Sequence, residues 1–189
     1  MSVQPILRIL SEYCIYPDGT IRIIVSAEKD SQIDTLPRIG LRIFLDRALD
    51  TVDYYGIGPW ESYADKCRSG RHGLFQATVA DLHEDYIRPQ ENGSHCDCDY
   101  VRLNGGGFVL TVAVADGNSF SFNASPYTQE ELEAKKHNYE LEPCGDTVLC
   151  IDHRMAGIGS KSCGPDLSEE YRVNAGAYRF AFFIKPETA

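Results

Sequence analysis

Residue types that carry chemistry gather in four places along the chain. "HCDCD" at 95–99 sets an imidazole, two thiols and two carboxylates side by side, the ligand types of a metal site. If those residues run as a strand, His95, Asp97 and Asp99 face one way and Cys96 and Cys98 the other, which a buried thiol pair under a polar face explains equally well. Asp152 and His153 in "CIDHRM", with Cys163 downstream, offer the members of a Cys/His/Asp nucleophile set. No nucleophile elbow marks them, and closeness in sequence does not bring such groups together in space. Glu61, Asp65, Glu84, Asp85 and Glu91 are candidates for the paired carboxylates of glycoside hydrolysis, which stand ~5 to 9 Å apart. With 28 acidic residues in the chain a chance pair is expected, and solvated loop acids or turn caps account for the same positions. "GIGSKSCGP" at 157–165 has the glycine and serine content of a phosphate cradle, but not the ending or the strand-to-helix setting of a P-loop. A tight loop needing glycine at positive φ explains it better.

The elements that must position these groups are strands. Period-two patterning runs through "TIRIIVSAEK", "GLRIFLD", "CDYVRLN", "FVLTVAVAD", "SFSFNAS", "TVLCID" and "YRFAFFIKP". In the last of these Tyr178, Phe180, Phe182 and Ile184 share a face. Turn-forming stretches separate the runs: "PDGT", "NGGG", "ADGN" and "NAG". Many short strands with glycine-rich turns predict an all-β, antiparallel sandwich or barrel. One short helix is expected in "PYTQEELEAKKHNY". Thr128 and Glu131 have capping-box spacing there, and Lys135, Lys136 and His137 favour the C-terminal end.

Two further stretches, "DYYGIGPWESYADKC" at 53–67 and "EDYIRPQENG" at 84–93, crowd rings, prolines, glycines and acids into segments read as rigid contact loops. Tyr54, Tyr55, Trp60 and Tyr63 suit either a stacking platform for a sugar or a packed corner and interdomain contact.

Composition narrows the field. The 189 residues make one domain, 1–189, without internal repeat or linker. A net charge of −10 and the absence of any basic run exclude nucleic acid and anionic membrane as partners. No apolar run approaches the ~20 residues of a membrane span. "MSVQPILRILSEYC" does not have the pattern of a signal peptide. Seven cysteines without a CxxC read as mostly reduced thiols acting as small hydrophobes.

Taken in order, "LPRIGLRI", "YYGIGPWESYADK", "YIRPQENG", "FSFNASPYTQEELEAKKH", "MAGIGSKSCGP" and "YRFAFFIKP" resemble the C-terminal, small-chain domain of glycoside hydrolase family 2 β-galactosidases, from about Ile15 onward. The resemblance implies an antiparallel β supersandwich similar to galactose mutarotases, here without the family domain's first strands, since an "FWRAPTDND"-like segment is missing. It implies a noncatalytic domain that completes the wall of the substrate pocket for terminal β-D-galactosides. The two catalytic glutamates of this retaining hydrolase would lie on a separate (β/α)₈ domain. It further implies no cofactor on this chain, because the family's Mg and Na are bound mainly by other domains. Its partners would be those remaining domains and β-galactosides. Contact with sugar at the pocket edge would fall to Ser160, Lys161, Ser162 and Cys163. In some members a tryptophan stands where Cys163 does, and a thiol cannot present a π face to a sugar. Two copies pairing to cover exposed sheet edges is also expected, as a homo-oligomer. The competing readings are a stand-alone carbohydrate-binding module, favoured by exposed coplanar rings, and a mutarotase-like enzyme, which needs a histidine and a carboxylate converging in a cleft.

Overall fold

In the computed structural model, which describes residues 5–159 and 164–189, eleven strands form two antiparallel sheets packed face to face. In chain order the strands are β1 (Leu7–Ile15), β2 (Ile21–Lys29), β3 (Arg38–Asp46), β4 (Thr51–Gly58), β5 (Arg71–Thr78), β6 (Ser94–Cys98), β7 (Tyr100–Gly105), β8 (Phe108–Val114), β9 (Phe120–Ser125), β10 (Asp146–Met155) and β11 (Ala177–Thr188). The seven-stranded sheet runs β1-β2-β11-β8-β7-β4-β5, and the four-stranded sheet runs β3-β10-β9-β6. The all-β sandwich expected from the patterning is the fold observed.

Alternation decides which side chains meet between the sheets. Ile23, Val25 and Ala27 of β2, and Tyr178, Phe180, Phe182 and Ile184 of β11, point inward from the larger sheet. Leu149, Ile151, Phe120 and Phe122 answer from the smaller one. Burying a large apolar side chain stabilises by roughly 1.5–3 kcal/mol, so this layer supplies the main driving force for folding. The second face of β10 is buried as well. Val148, Cys150 and Asp152 are buried there, where Gln129 of the short helix α1 (Gln129–Ala134) donates to Cys150 Sγ at 3.4 Å and Arg38 joins Asp152 to Glu91 of the 84–93 segment.

Three expectations need correction. "DYYGIG" is not loop but most of β4, because Val52, Tyr54 and Gly56 alternate inward in register with β5 and β7. Neither "HCDCD" nor "CDYVRLN" is one regular strand. A register shift between His95 and Cys98, with Asp97 at φ 57°, ends β6 in the smaller sheet and releases β7 into the larger one. His95 and Cys98 are therefore both buried while Asp97 is exposed, where simple alternation had placed His95 and Asp97 together. Thr128 does cap α1, accepting the Glu131 N–H at 3.1 Å, but the helix stops at Ala134. Lys136 and His137 lie beyond it, and the Glu131 carboxylate accepts the Glu142 N–H and pairs with Lys135 at 3.3 Å instead of closing the box.

Candidate functional site

Carboxylates tie the loops 59–67 and 79–93 to each other and to residues 157–159. Glu61 follows β4 directly and is buried. One carboxylate oxygen accepts Lys66 Nζ and Tyr86 Oη–H, and the other accepts the Gly93 N–H at 2.8 Å. Burial pushes the Glu61 carboxyl up, yet the Lys66, Tyr86 and Gly93 donors together hold it below the usual carboxylate range. Gly93 has φ 69°, and a Cβ there would sit 2.4 Å from the Leu82 carbonyl oxygen, so glycine alone serves. The "PWESYADK" and "RPQENG" stretches are thus two halves of one hydrogen-bonded cluster.

The same turn presents Asp65. Tyr63 and Lys66 exchange backbone hydrogen bonds of 3.0 and 2.9 Å across it. The Asp65 carboxylate then accepts two successive N–H groups, Ile158 at 3.1 Å and Gly159 at 2.8 Å, at the base of the 157–165 loop. Gly157 is required for this approach, because a Cβ would lie 2.5 Å from Asp65 Cγ. Beside the latch opens a cleft of about 420 Å³ lined by Asp65, Lys66, Ile158, Gly159, Leu167 and Tyr171. Removing the latch by Asp65→Ala should raise amide hydrogen exchange at Ile158 and Gly159 and cost about 1–2 kcal/mol, since two donors lose their acceptor. Unchanged exchange at both amides in a mass-spectrometric measurement would refute that role.

A second ion cluster backs the first. Arg38 at the start of β3 donates to Asp152 through Nε at 3.0 Å and Nη2 at 2.5 Å, and reaches Glu91 through Nη1 at 3.0 Å. Asp152 is 2% exposed. Burial pushes the Glu91 carboxyl up, and Arg38 pulls it partly back.

The candidate groups separate in space. Asp152 is committed to Arg38, while His153, one residue on, turns to stack on Phe180 at 4.7 Å. Cys163 lies outside the described residues, as do Ser160, Lys161 and Ser162. Among the described residues no three His, Cys, Asp or Glu groups gather to hold a metal ion. His95 is a core side chain, packed on Tyr54 at 4.6 Å and Phe122 at 5.3 Å, with Nδ1 3.2 Å from the Ile57 carbonyl oxygen. Cys98 and Cys150 are the buried thiols, whereas Cys14 and Cys144 are exposed, so the small-hydrophobe reading holds for only part of the set.

Of the five acids, Glu61, Asp65 and Glu91 each have a structural partner, and Asp85 accepts Asn138 Nδ2 at 2.9 Å. The ring platform does not form. Tyr54 and Tyr63 are buried, Tyr55 packs edge-on to His72 at 4.6 Å, and Trp60 alone is prominent at 63% exposed. Sequence reasoning missed Arg38, Lys66 and Tyr86. Arg38 opens a strand that carries a second cation, Arg42, so nothing local marked it out.

These features define a class: a two-sheet antiparallel sandwich whose loops 59–67 and 79–93 are tied together by the buried Glu61 carboxylate. The chain belongs to the family described as Beta galactosidase small chain, whose family profile matches residues 1–184. That match begins at the first residue, not near Ile15. It is 44% identical over 177 residues to a protein named Beta-galactosidase from Actinobacillus pleuropneumoniae, covering 94% of this chain and 17% of that protein. Staphylococcus xylosus has a protein of the same name that is 39% identical over 184 residues, covering 97% and 18%. A third, from Lactococcus lactis subsp. lactis (strain IL1403), is 32% identical over 180 residues, covering 93% and 17%. The chain thus spans less than a fifth of the length of these relatives.

Proposed function

We propose that the chain acts as the noncatalytic small-chain domain of a β-galactosidase and contributes the loop at 157–165 to the edge of its substrate pocket. Hydrolysis of terminal β-D-galactosides would then be carried out by carboxylates on another domain, with any Mg or Na held there too. The observation that carries this reading is the Asp65 latch on the base of that loop, together with the Glu61 cluster that holds Asp65 in place. A domain that shapes a pocket from outside needs a loop fixed to a rigid frame, and the Ile158 and Gly159 N–H groups make charge-assisted hydrogen bonds to Asp65.

Neither competing reading gains support. A binding module would need the rings that Tyr54 and Tyr63 bury. A mutarotase-like enzyme would need a free histidine and carboxylate converging in a cleft; of the groups lining the cleft beside Trp60, His95 is packed between aromatic rings and Glu61 is held by three donors, which leaves His83 and Glu84.

The test is a replacement in the Actinobacillus pleuropneumoniae relative, exchanging its matched segment for this chain. Activity on a chromogenic β-galactoside should vanish when the segment is deleted and return when this chain takes its place. A folded hybrid without activity, alongside an isolated chain that binds galactosides, would replace the proposal with the binding-module reading.

A further inference from the structure

Trp60, the only tryptophan of the chain, lines a cleft of about 430 Å³ that the 157–165 loop does not touch. Gln76 of β5 lines it too, with Asp81, His83 and Glu84 of the segment after that strand. We propose that this cleft binds a guanidinium group, stacked on the Trp60 indole and donating to the Asp81 and Glu84 carboxylates. Three observations carry the proposal, and none of them depends on the galactosidase reading.

The first is uncompensated charge. Neither Asp81 nor Glu84 has an ion-pair partner among the described residues, and no Lys or Arg lines the cleft. Glu61 lines it as well, but Lys66 already neutralises that carboxylate. A cleft of one sign repels an anion and concentrates a cation.

The second is the balance of donors and acceptors. Gln76 Nε2 is spent on Asp53 Oδ1 at 2.6 Å, and the Glu84 N–H on Asn92 Oδ1 at 3.0 Å. Asp81 meets the Thr78 hydroxyl and N–H with Oδ2 alone, at 2.7 and 3.2 Å, which leaves Oδ1 uncommitted. The Glu84 carboxylate accepts no hydrogen bond among the described residues. Acceptors are therefore in surplus, and the ligand must bring donors. A sugar hydroxyl is donor and acceptor at once, whereas a guanidinium is five donors and no acceptor.

The third is the ring. Trp60 is 63% exposed, and indole is the best of the aromatic faces for a cation, above all for a planar one. Its root is already fixed, because Glu61, next in the chain, is held by three donors. A ring set in place beforehand loses little freedom when a ligand stacks on it.

The single tryptophan makes the test direct. Fluorescence of the unmodified chain, titrated with methylguanidinium chloride, should change saturably with a Kd on the order of 1–10 mM. Sodium chloride at equal ionic strength, and galactose over the same range, should leave it unchanged. Glu84→Gln and Asp81→Asn should each weaken binding about three- to tenfold, since each removes one charged acceptor. Asp81 also caps Thr78, so Glu84→Gln is the deciding variant. Free L-arginine and N-acetylargininamide carry the same net charge and separate the two sources of the group. Tighter binding of the first marks a small-molecule ligand, and of the second an arginine side chain on a polypeptide. A change that rises linearly without saturating, that survives Glu84→Gln undiminished, or that galactose produces equally well would overturn the proposal.

Discussion

Arg38→Met should cost about 3–5 kcal/mol of folding stability, a large share of what a domain of this size has. The cause is what the substitution leaves behind. Asp152 is 2% exposed and takes both of its close donors from the Arg38 guanidinium. Glu91 depends on the same cation, and its second oxygen has no partner. Without Arg38 the buried Asp152 and the half-buried Glu91 are left as two neighbouring carboxylates with nothing to neutralise them. The ion pair itself need not be net stabilising, since desolvating both charges offsets most of their attraction. Arg38→Met combined with Asp152→Leu should therefore recover most of the loss, giving a strongly non-additive cycle in urea unfolding. Simple additivity, or a loss below about 1 kcal/mol for Arg38→Met alone, would show that water reaches Asp152 and the cluster is not dry.

The second large effect is a loss of stability in mild acid, centred on His95. Burial among Tyr54 and Phe122 pulls its pKa from the ordinary 6.5 down to about 4, although the Ile57 carbonyl favours the protonated ring. The unfolded chain then binds a proton more readily than the folded one between those two values. Stability contributed by keeping His95 neutral is fully present above pH 6.5, drains away as pH falls toward 4, and changes no further below that. At 1.36 kcal/mol per unit the full loss is about 3 kcal/mol. His83 and His153, also lowered by burial, add to the trend with the same sign. Glu91 and Asp152, raised by burial, oppose it. Urea midpoints measured from pH 7.5 to 4 should show the decline, and His95→Leu should flatten it. An equally steep decline in His95→Leu would assign the acid sensitivity elsewhere.

How much of this was legible beforehand depends on how local the signal was. β2 and β11 announce themselves because one face is apolar and the other carries Arg22, Ser26 and Arg179, so period two survives inspection. β1 does not, because "LRILSEYCI" is mixed on both faces and is a strand only by virtue of its pairing with β2. β4 was hidden by its own richness, since rings and glycines that signal a loop are here fitted against β5 and β7.

The site was less readable still. Asp65 was in view as one acid among many, and nothing near it in sequence points to the Ile158 and Gly159 amides, 93 and 94 residues away. Family likeness drew attention to the 157–165 loop. It did not indicate what holds the loop, because a latch of this kind is written in tertiary contacts and not in spacing.

The position of β11 governs when the molecule can come into being on the ribosome. It is the last strand in chain order, yet it lies between β2 and β8, and it alone joins the β1–β2 hairpin to the rest of its sheet. Until β11 has emerged, Ile23 and Val25 have no sheet to complete, and the hairpin must wait as an exposed apolar ribbon through the synthesis of everything between. A stop codon just before Ala177 would thus strand the first part of the chain as surely as the last, and translation speed over that interval sets how long the ribbon is exposed to misassembly.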